Sequence, residues 1–256
     1  MQHPFPSAEG KRAKSEGVAD AINKLLQNLV IKCAKSEGIR DYYHVGVIGY
    51  GGAATGPAFG GKLAGMELVP VSELGRNPIR VEERTRKTDD GAGGIVSQKV
   101  KFPIWFESKA LGETPMCAAF DKASSILSKW ILEHQKSFPP IVINITDGKP
   151  TDGNPSQSAF DLMSLRTLDG EVLLFNLLIS AAKMSPIEFP DTEMVLSDEF
   201  ARSLFRISSP LPAYMRNMMA EEGINSNLQS RGFVFNADLV SVIRFLDIGT
   251  RPSNMR

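Results

Sequence analysis

Apolar and polar residues follow one another along this chain in a rhythm that predicts helices and strands in alternation. Apolar residues recur at the 3.6-residue spacing of an amphipathic helix in several segments. We predict helices at 11–36, 115–135, 156–168, 197–205, 212–222 and 236–248. Short runs of branched apolar residues predict buried strands. These runs are at 44–50, 141–146, 171–179 and 232–235.

The stretch from about residue 51 to 108 has a different character, being first rich in glycine and alanine and then densely charged. Two further strands, at 79–85 and 97–106, flank a glycine-rich linker at 89–94, which is typical of a β-hairpin. Uninterrupted apolar strands that alternate with helices indicate a parallel sheet covered on both faces. We therefore predict one α/β domain over residues 1–256, in which about 51–108 form a hairpin insertion.

Composition narrows the classes of partner. The chain has 29 basic and 29 acidic residues, so it lacks the positive field on which nucleic-acid and membrane-surface binders depend. No apolar run approaches the ~20 residues of a membrane span. The cysteines, Cys33 and Cys117, both lie in amphipathic segments, which favours buried thiols in a reducing, cytoplasmic compartment.

A glycine-rich stretch at 49–62 offers a nucleotide-binding interpretation. Gly49 to Ala54 matches the G-x-G-x-x-A pattern of dinucleotide sites, and Gly56 to Lys62 comes close to a phosphate-binding loop. Both motifs need a helix that begins directly after the loop, and residues 55–62 do not have a helical sequence. We keep nucleotide binding, or an enzyme that uses this stretch, as the alternative hypothesis.

The stronger candidate chemistry lies where two predicted elements meet one edge of the sheet. Asp147 follows the strand 141–146, and Thr114 precedes Pro115 at the start of a helix, where it could also be a simple N-cap. Ligands of open α/β sheets bind at the carboxyl edge of the strands. A hydroxyl and a carboxylate that converge there suit a hard divalent cation such as Mg²⁺.

The motifs G-x-T-P-M at 112–116 and PPIVINITDGKPTDG at 139–153 resemble the von Willebrand factor A (VWA) family. The resemblance extends to about residue 179, so that about 180–256 would be a C-terminal extension like those of bacterial VWA proteins. It implies a Rossmann-like, doubly wound, mostly parallel sheet with a metal-ion-dependent adhesion site, or MIDAS. In such a site Thr114 and Asp147 would be metal ligands.

The chain departs from the family at the first strand. The family's D-x-S-x-S motif is absent upstream of the first predicted helix, and residues 1–7 read MQHPFPS. The resemblance therefore implies that the first, central strand is missing, and we hypothesise that an internal Met has been taken as the start. Without that motif, binding of Mg²⁺ or Mn²⁺ is expected to be weakened.

These observations predict a non-enzymatic interaction module, such as a cytoplasmic scaffold, with no catalytic residue. As the resemblance implies, Asp147 and Thr114 would hold Mg²⁺ or Mn²⁺, and an Asp or Glu of a protein partner would complete the coordination. Gly148, Lys149 and Trp105 are candidate partner contacts, with Trp105 and Phe106 alternatively part of the core. A VWA-like scaffold that has lost its metal and binds through its surface alone is a further alternative.

Overall fold

A computed structural model of the chain describes residues 4–5, 12–52, 54–89, 95–108, 112–179, 185–237, 241–242 and 244–245. It is a mixed α/β protein with parallel and antiparallel strand pairs. The helices are α1 (Lys14–Cys33), α2 (Val71–Arg76), α3 (Met116–Glu133), α4 (Ser156–Ser164), α5 (Glu199–Arg206) and α6 (Ala213–Glu221). The strands are β1 (Pro4–Phe5), β2 (Arg12–Ala13), β3 (Ala34–Lys35), β4 (Gly38–Ile39), β5 (His44–Val45), β6 (Ile48–Gly51), β7 (Ala54–Pro57), β8 (Val69–Pro70), β9 (Arg80–Asp89), β10 (Ile95–Ile104), β11 (Ile141–Thr146), β12 (Arg166–Thr167), β13 (Gly170–Glu171), β14 (Leu173–Leu178), β15 (Ile187–Glu188) and β16 (Phe233–Phe235).

The chain divides into two compact units, which we describe separately. The sheet unit comprises Met1–Val18, Ile48–Gly56 and Lys109–Arg256, and the ribbon unit comprises Ala19–Val47 and Pro57–Ser108. The ribbon unit thus contains most of the predicted hairpin insertion together with most of α1. That the chain acts as a single domain stays a prediction.

A four-stranded sheet forms the centre of the sheet unit, in the order β11-β14-β16-β15. β11 and β16 each pair with β14 in parallel, and β15 joins β16 antiparallel. The sequence predicted β11, β14 and β16 from their apolar runs, and the structure confirms these strands. β14 and β16 are buried on both faces, which is why their sequences show no alternation with polar residues.

The core of the sheet unit lies on both sides of β14, because successive side chains of a strand point to opposite faces. Leu174 and Leu178 pack in one cluster with apolar residues of α3, α4 and α5. On the other side, the Phe175 ring meets Phe245 edge to face, with ring centres 5.8 Å apart. The predicted helices at 115–135, 197–205 and 212–222 are confirmed as α3, α5 and α6.

β11 forms one edge of this sheet. Leu173 N donates to Pro140 O and Ile179 N donates to Thr146 O, so the even-numbered residues of β11 direct their backbone groups toward β14. Residues 141, 143 and 145 consequently direct theirs the other way. Among the described residues, no strand pairs with that edge. The four aliphatic side chains of β11 are only half-buried, whereas those of β14 after Leu173 are buried.

The ribbon unit is built on the long antiparallel hairpin of β9 and β10 and on α1. Both strands of the hairpin were predicted, and part of the predicted linker lies outside the described residues. Arg84 binds Asp20 of α1 with two hydrogen bonds, of 2.9 and 3.0 Å, and its guanidinium lies 3.8 Å from the Phe102 ring centre. Half-buried charges paired in this way fix the hairpin to the helix.

Three predicted elements differ from the structure. The predicted buried strand 44–50 is wrong: it is two short strands, β5 and β6, with half-buried or exposed residues, which pair with β8 and β7 outside the four-stranded sheet. The predicted helix 156–168 ends at Ser164, and a short hairpin of β12 and β13 follows. Of the predicted helix 236–248, the described residues 241–242 and 244–245 are helical, but its first residue, Asn236, has a left-handed φ of 57° rather than the extended backbone typical of an N-cap.

None of the described helices has both the length and the apolar character that crossing a bilayer requires.

Candidate functional site

The candidate site begins at the carboxyl end of β11, where the strand turns sharply. The buried Thr146 hydroxyl donates to the carbonyl of Gly148 (3.0 Å) and accepts from its amide (3.3 Å). Such a side-chain turn fixes the path of the backbone directly after the strand. Asp147, which is half-buried, lies inside this turn.

The loop before α3 lies against this turn. Thr114 N donates to the Thr151 hydroxyl and Thr151 N donates to the Thr114 carbonyl, each at 3.0 Å. A β-carbon placed on Gly148 would lie 3.2 Å from the Thr114 hydroxyl oxygen. The structure therefore places the Thr114 hydroxyl beside the residue that follows Asp147. That both side chains coordinate one cation stays a prediction.

Thr114 is not the N-cap of the helix, contrary to one interpretation of the sequence. The structure shows no side-chain cap from the residue that flanks α3, and Asp152 of the neighbouring loop takes that role instead. Its carboxylate accepts from Cys117 N (3.2 Å) and Ala118 N (2.9 Å). Burial opposes the ionisation of Asp152, but these amide bonds outweigh it and lower the pKa of the carboxyl.

Cys117 lies next to this carboxylate, and its thiol is unreactive as a result. Burial, followed by the charge of Asp152, raises the pKa of Cys117 to about 11. Only the thiolate is a strong nucleophile and metal ligand, and at neutral pH Cys117 is a thiol.

Tyr50 is a residue of the site that the sequence analysis missed. Its hydroxyl donates to the side-chain oxygen of Asn144 and lies 3.1 Å from the carbonyl oxygen of Ile145. Burial raises the pKa of Tyr50, a hydrogen bond with Thr146 offsets part of this effect, and the Asp147 carboxylate raises the pKa further. The net rise keeps Tyr50 a neutral hydrogen-bond donor at pH 7.

The available donors fit a magnesium-like cation in kind but not in number. Hydroxyl and carboxylate oxygens are the ligands that Mg²⁺ and Mn²⁺ prefer. Among the described residues, however, no three His, Cys, Asp or Glu side chains converge as a metal-binding group. Asp152, the other carboxylate of the loop that follows β11, is occupied by the backbone amides of α3. Two protein ligands leave most positions of an octahedral ion to water or to a partner.

The remaining sequence candidates have mixed outcomes. Lys149 is exposed and Gly148 half-buried beside Asp147, and their role as partner contacts stays a prediction. Trp105 is 2% exposed, and its indole N–H donates to the carbonyl of Leu74 at 2.7 Å. It belongs to the core of the ribbon unit, so we withdraw it as a partner contact.

The glycine-rich stretch at 49–62 does not have the geometry of a phosphate site in its described part. β6 is followed by β7, and the single short 3₁₀ turn Gly61–Leu63 comes where a helix would have to begin. Ala53, which completes the dinucleotide pattern, lies outside the described residues. No described helix therefore begins directly after this stretch, as both motifs require.

Scans of protein-family models, curated proteins and solved structures find no match to this chain.

We expect Asp152→Ala to lower the free energy of unfolding at pH 7 by about 1 kcal/mol, because the variant loses the cap of α3. A carboxyl with a lowered pKa stabilises the fold above its ordinary value of 3.8 and loses this effect as the pH falls through its folded pKa. Urea unfolding should therefore show a difference at pH 7 that becomes smaller at pH 2.5. Asp161→Ala, at an exposed position of α4, is the control, and a difference that is equally large at both pH values would contradict the capping role.

Proposed function

We propose that this chain is a non-enzymatic interaction module of the VWA type. A divalent cation, Mg²⁺ or Mn²⁺, is held at Asp147 and Thr114 and binds the carboxylate of an Asp or Glu in a protein partner. The cation links the two proteins, because it shares its coordination sphere between them. Lys149, exposed beside the site, contacts the partner.

The observation that carries this proposal is the position of Thr114. Its hydroxyl lies 3.2 Å from where a β-carbon of Gly148 would be, although 32 residues of chain lie between Thr114 and Asp147. The Thr114–Thr151 pair of hydrogen bonds ties the two loops together at this point. The two loops that carry these oxygens lie at the carboxyl edge of the parallel strands. Open α/β folds bind their ligands at this edge.

The proposal extends to the sheet. The finer topology we propose is doubly wound, with a strand on the far side of β11 that is not among the described residues. Support comes from the unpaired edge of β11 and from its half-buried aliphatic side chains, since natural edge strands are usually blunted by charge, proline or a bulge. The sequence of β11, IVINIT, contains none of these residues.

The test is titration of the chain with Mn²⁺, followed by electron paramagnetic resonance of the free ion. We expect a single weak site with a Kd on the order of 0.1–1 mM, because few charged ligands hold the ion. Asp147→Asn should weaken binding by about tenfold or more, since it removes the charge that attracts the cation. Asp161→Asn removes one exposed carboxylate of α4 and should leave the affinity unchanged. Acetate added to the manganese complex should bind, and acetamide should not.

Three results would contradict the proposal. Equal Mn²⁺ affinities of the wild type and Asp147→Asn would place the ion elsewhere. No Mn²⁺ binding by the wild type would instead favour a scaffold that contacts partners through its surface alone. Saturable binding of ATP that is lost in Lys62→Ala would favour the nucleotide-binding alternative.

A further inference from the structure

A continuous chain of buried hydrogen bonds begins at Tyr50 and crosses the sheet. Tyr50 donates to the Asn144 side-chain oxygen, and the Asn144 amide donates to the Asn176 side-chain oxygen at 2.9 Å. The Asn176 amide donates to the Ser208 hydroxyl at 2.9 Å, which donates to the carbonyl of Leu204 at 2.8 Å. Each side chain donates to the next in one direction, from Tyr50 in β6 through β11 and β14 to the last turn of α5.

A contribution to stability does not explain why Asn144 and Asn176 occupy these buried positions. They stand opposite each other in the register of β11 and β14, are 5% and 0% exposed, and interrupt the apolar runs IVINIT and LLFNLL. Buried amides are costly unless every polar atom finds a partner. Apolar residues of the same size often serve a core as well or better, whereas a fully satisfied polar network fixes one arrangement of its parts.

The first group of this chain of bonds, the Tyr50 hydroxyl, lies at the candidate site. The Tyr50 hydroxyl lies 3.1 Å from the Ile145 carbonyl oxygen, two residues before Asp147 and directly before Thr146, whose own hydroxyl shapes the turn around Asp147. The phenol therefore holds the strand end from the side on which β11 has no described strand partner.

We propose that Tyr50 is a positioning residue for Asp147. With Asn144, Asn176 and Ser208 it forms a relay, the Tyr50 relay, that fixes the carboxyl end of β11 and links it to the end of α5. The ligand-binding role of this position rests on the proposed function. The mechanical role does not, because it concerns only how firmly the turn at 146–148 is held.

Amide hydrogen exchange of the full chain tests the relay without any metal. In Tyr50→Phe the ring stays and the hydroxyl is lost, so we expect exchange at residues 146–148 to become about tenfold faster, as for the loss of a buried hydrogen bond. Amides of β14 should keep their wild-type rates, which a general loss of stability would not allow. Ser208→Ala, at the far end of the relay, should accelerate the same amides by a smaller factor.

Asn23→Ala is the matched control, since Asn23 is also a buried asparagine that joins separate segments, but in the ribbon unit. It donates to the Phe106 carbonyl and accepts from the Trp105 amide, and its loss should leave exchange at 146–148 unchanged. Unchanged exchange at 146–148 in Tyr50→Phe, or a rise shared equally with β14, would overturn the relay. If the wild type binds Mn²⁺, we also expect Tyr50→Phe to weaken this binding severalfold, whereas a wild type that binds none refutes the proposed function and leaves the exchange result to decide the relay.

Discussion

Replacing Trp105 with alanine is expected to lower the free energy of unfolding by about 3–5 kcal/mol, the usual cost of deleting a large aromatic side chain from a core. The indole packs in one cluster with Leu26, Phe59 and Leu74. The substitution also leaves the buried Leu74 carbonyl without the indole N–H that donates to it. Urea unfolding followed by circular dichroism measures the loss.

Two further variants make this result specific. Trp105→Phe keeps most of the packing and should cost about 1–3 kcal/mol for the lost hydrogen bond. Phe160→Ala removes an aromatic ring that is 63% exposed and should change stability by no more than about 0.5 kcal/mol. A Trp105→Ala variant as stable as Phe160→Ala would show that Trp105 does not stabilise the core and would favour a surface role.

Gly232→Ala is expected to cost about 3 kcal/mol, the upper end of the usual range for overpacking a core. A β-carbon at this position would lie 2.1 Å from the Phe175 ring. That ring is 1% exposed and meets Phe245 on one side, so it has little room to move. Thermal unfolding of the variant and the wild type measures the difference.

The clash predicts that a second substitution, at Phe175, restores part of the lost stability. Phe175→Leu shortens the obstructing side chain, so the double variant should be more stable than the sum of the two single changes predicts. Gly56→Ala is the control, because a β-carbon there meets nothing within 4 Å; we expect it to be neutral or slightly stabilising. Strict additivity of Gly232→Ala and Phe175→Leu would show that the close approach is not the cause.

The sequence predicted best those elements that a local pattern determines. α3, β11 and β14 follow from apolar spacing within a few turns or residues, and the structure confirms each of them. The proximity of the loops that carry Thr114 and Asp147 followed from a general rule about the carboxyl edge of parallel strands. These inferences need no knowledge of which distant segments meet.

The errors arise where distant segments decide the outcome. The apolar run 44–50 was predicted as one buried strand, but Gly46 lets the backbone near Glu67 approach it, with the carbonyl oxygen of Glu67 2.5 Å from where a β-carbon would be. Pairing with β8 then splits the run. Asp152 caps a helix that begins 36 residues earlier in the chain, and no capping motif adjacent to the helix reveals such a partner.

Tyr50 was missed for the same reason. Nothing in its local sequence distinguishes a tyrosine that completes a strand from one whose hydroxyl reaches across to a neighbouring strand end. The tyrosine after an apolar run and before a glycine was the available signal. It acquires meaning only when β6 and the end of β11 are known to lie within the length of one side chain.

In the described part of the chain one edge of β11 has no strand partner, and this has a consequence for the protein in concentrated solution. Wherever the strand that we propose beside β11 is absent or displaced, the outward amides and carbonyls at 141 and 143 can pair with an extended chain from another molecule. Association of this kind is second order in protein, so its rate grows with the square of the concentration. Aliphatic side chains along the same edge add apolar contact to each pairing event. The protein is therefore expected to self-associate faster in concentrated than in dilute solution, through the six residues of β11.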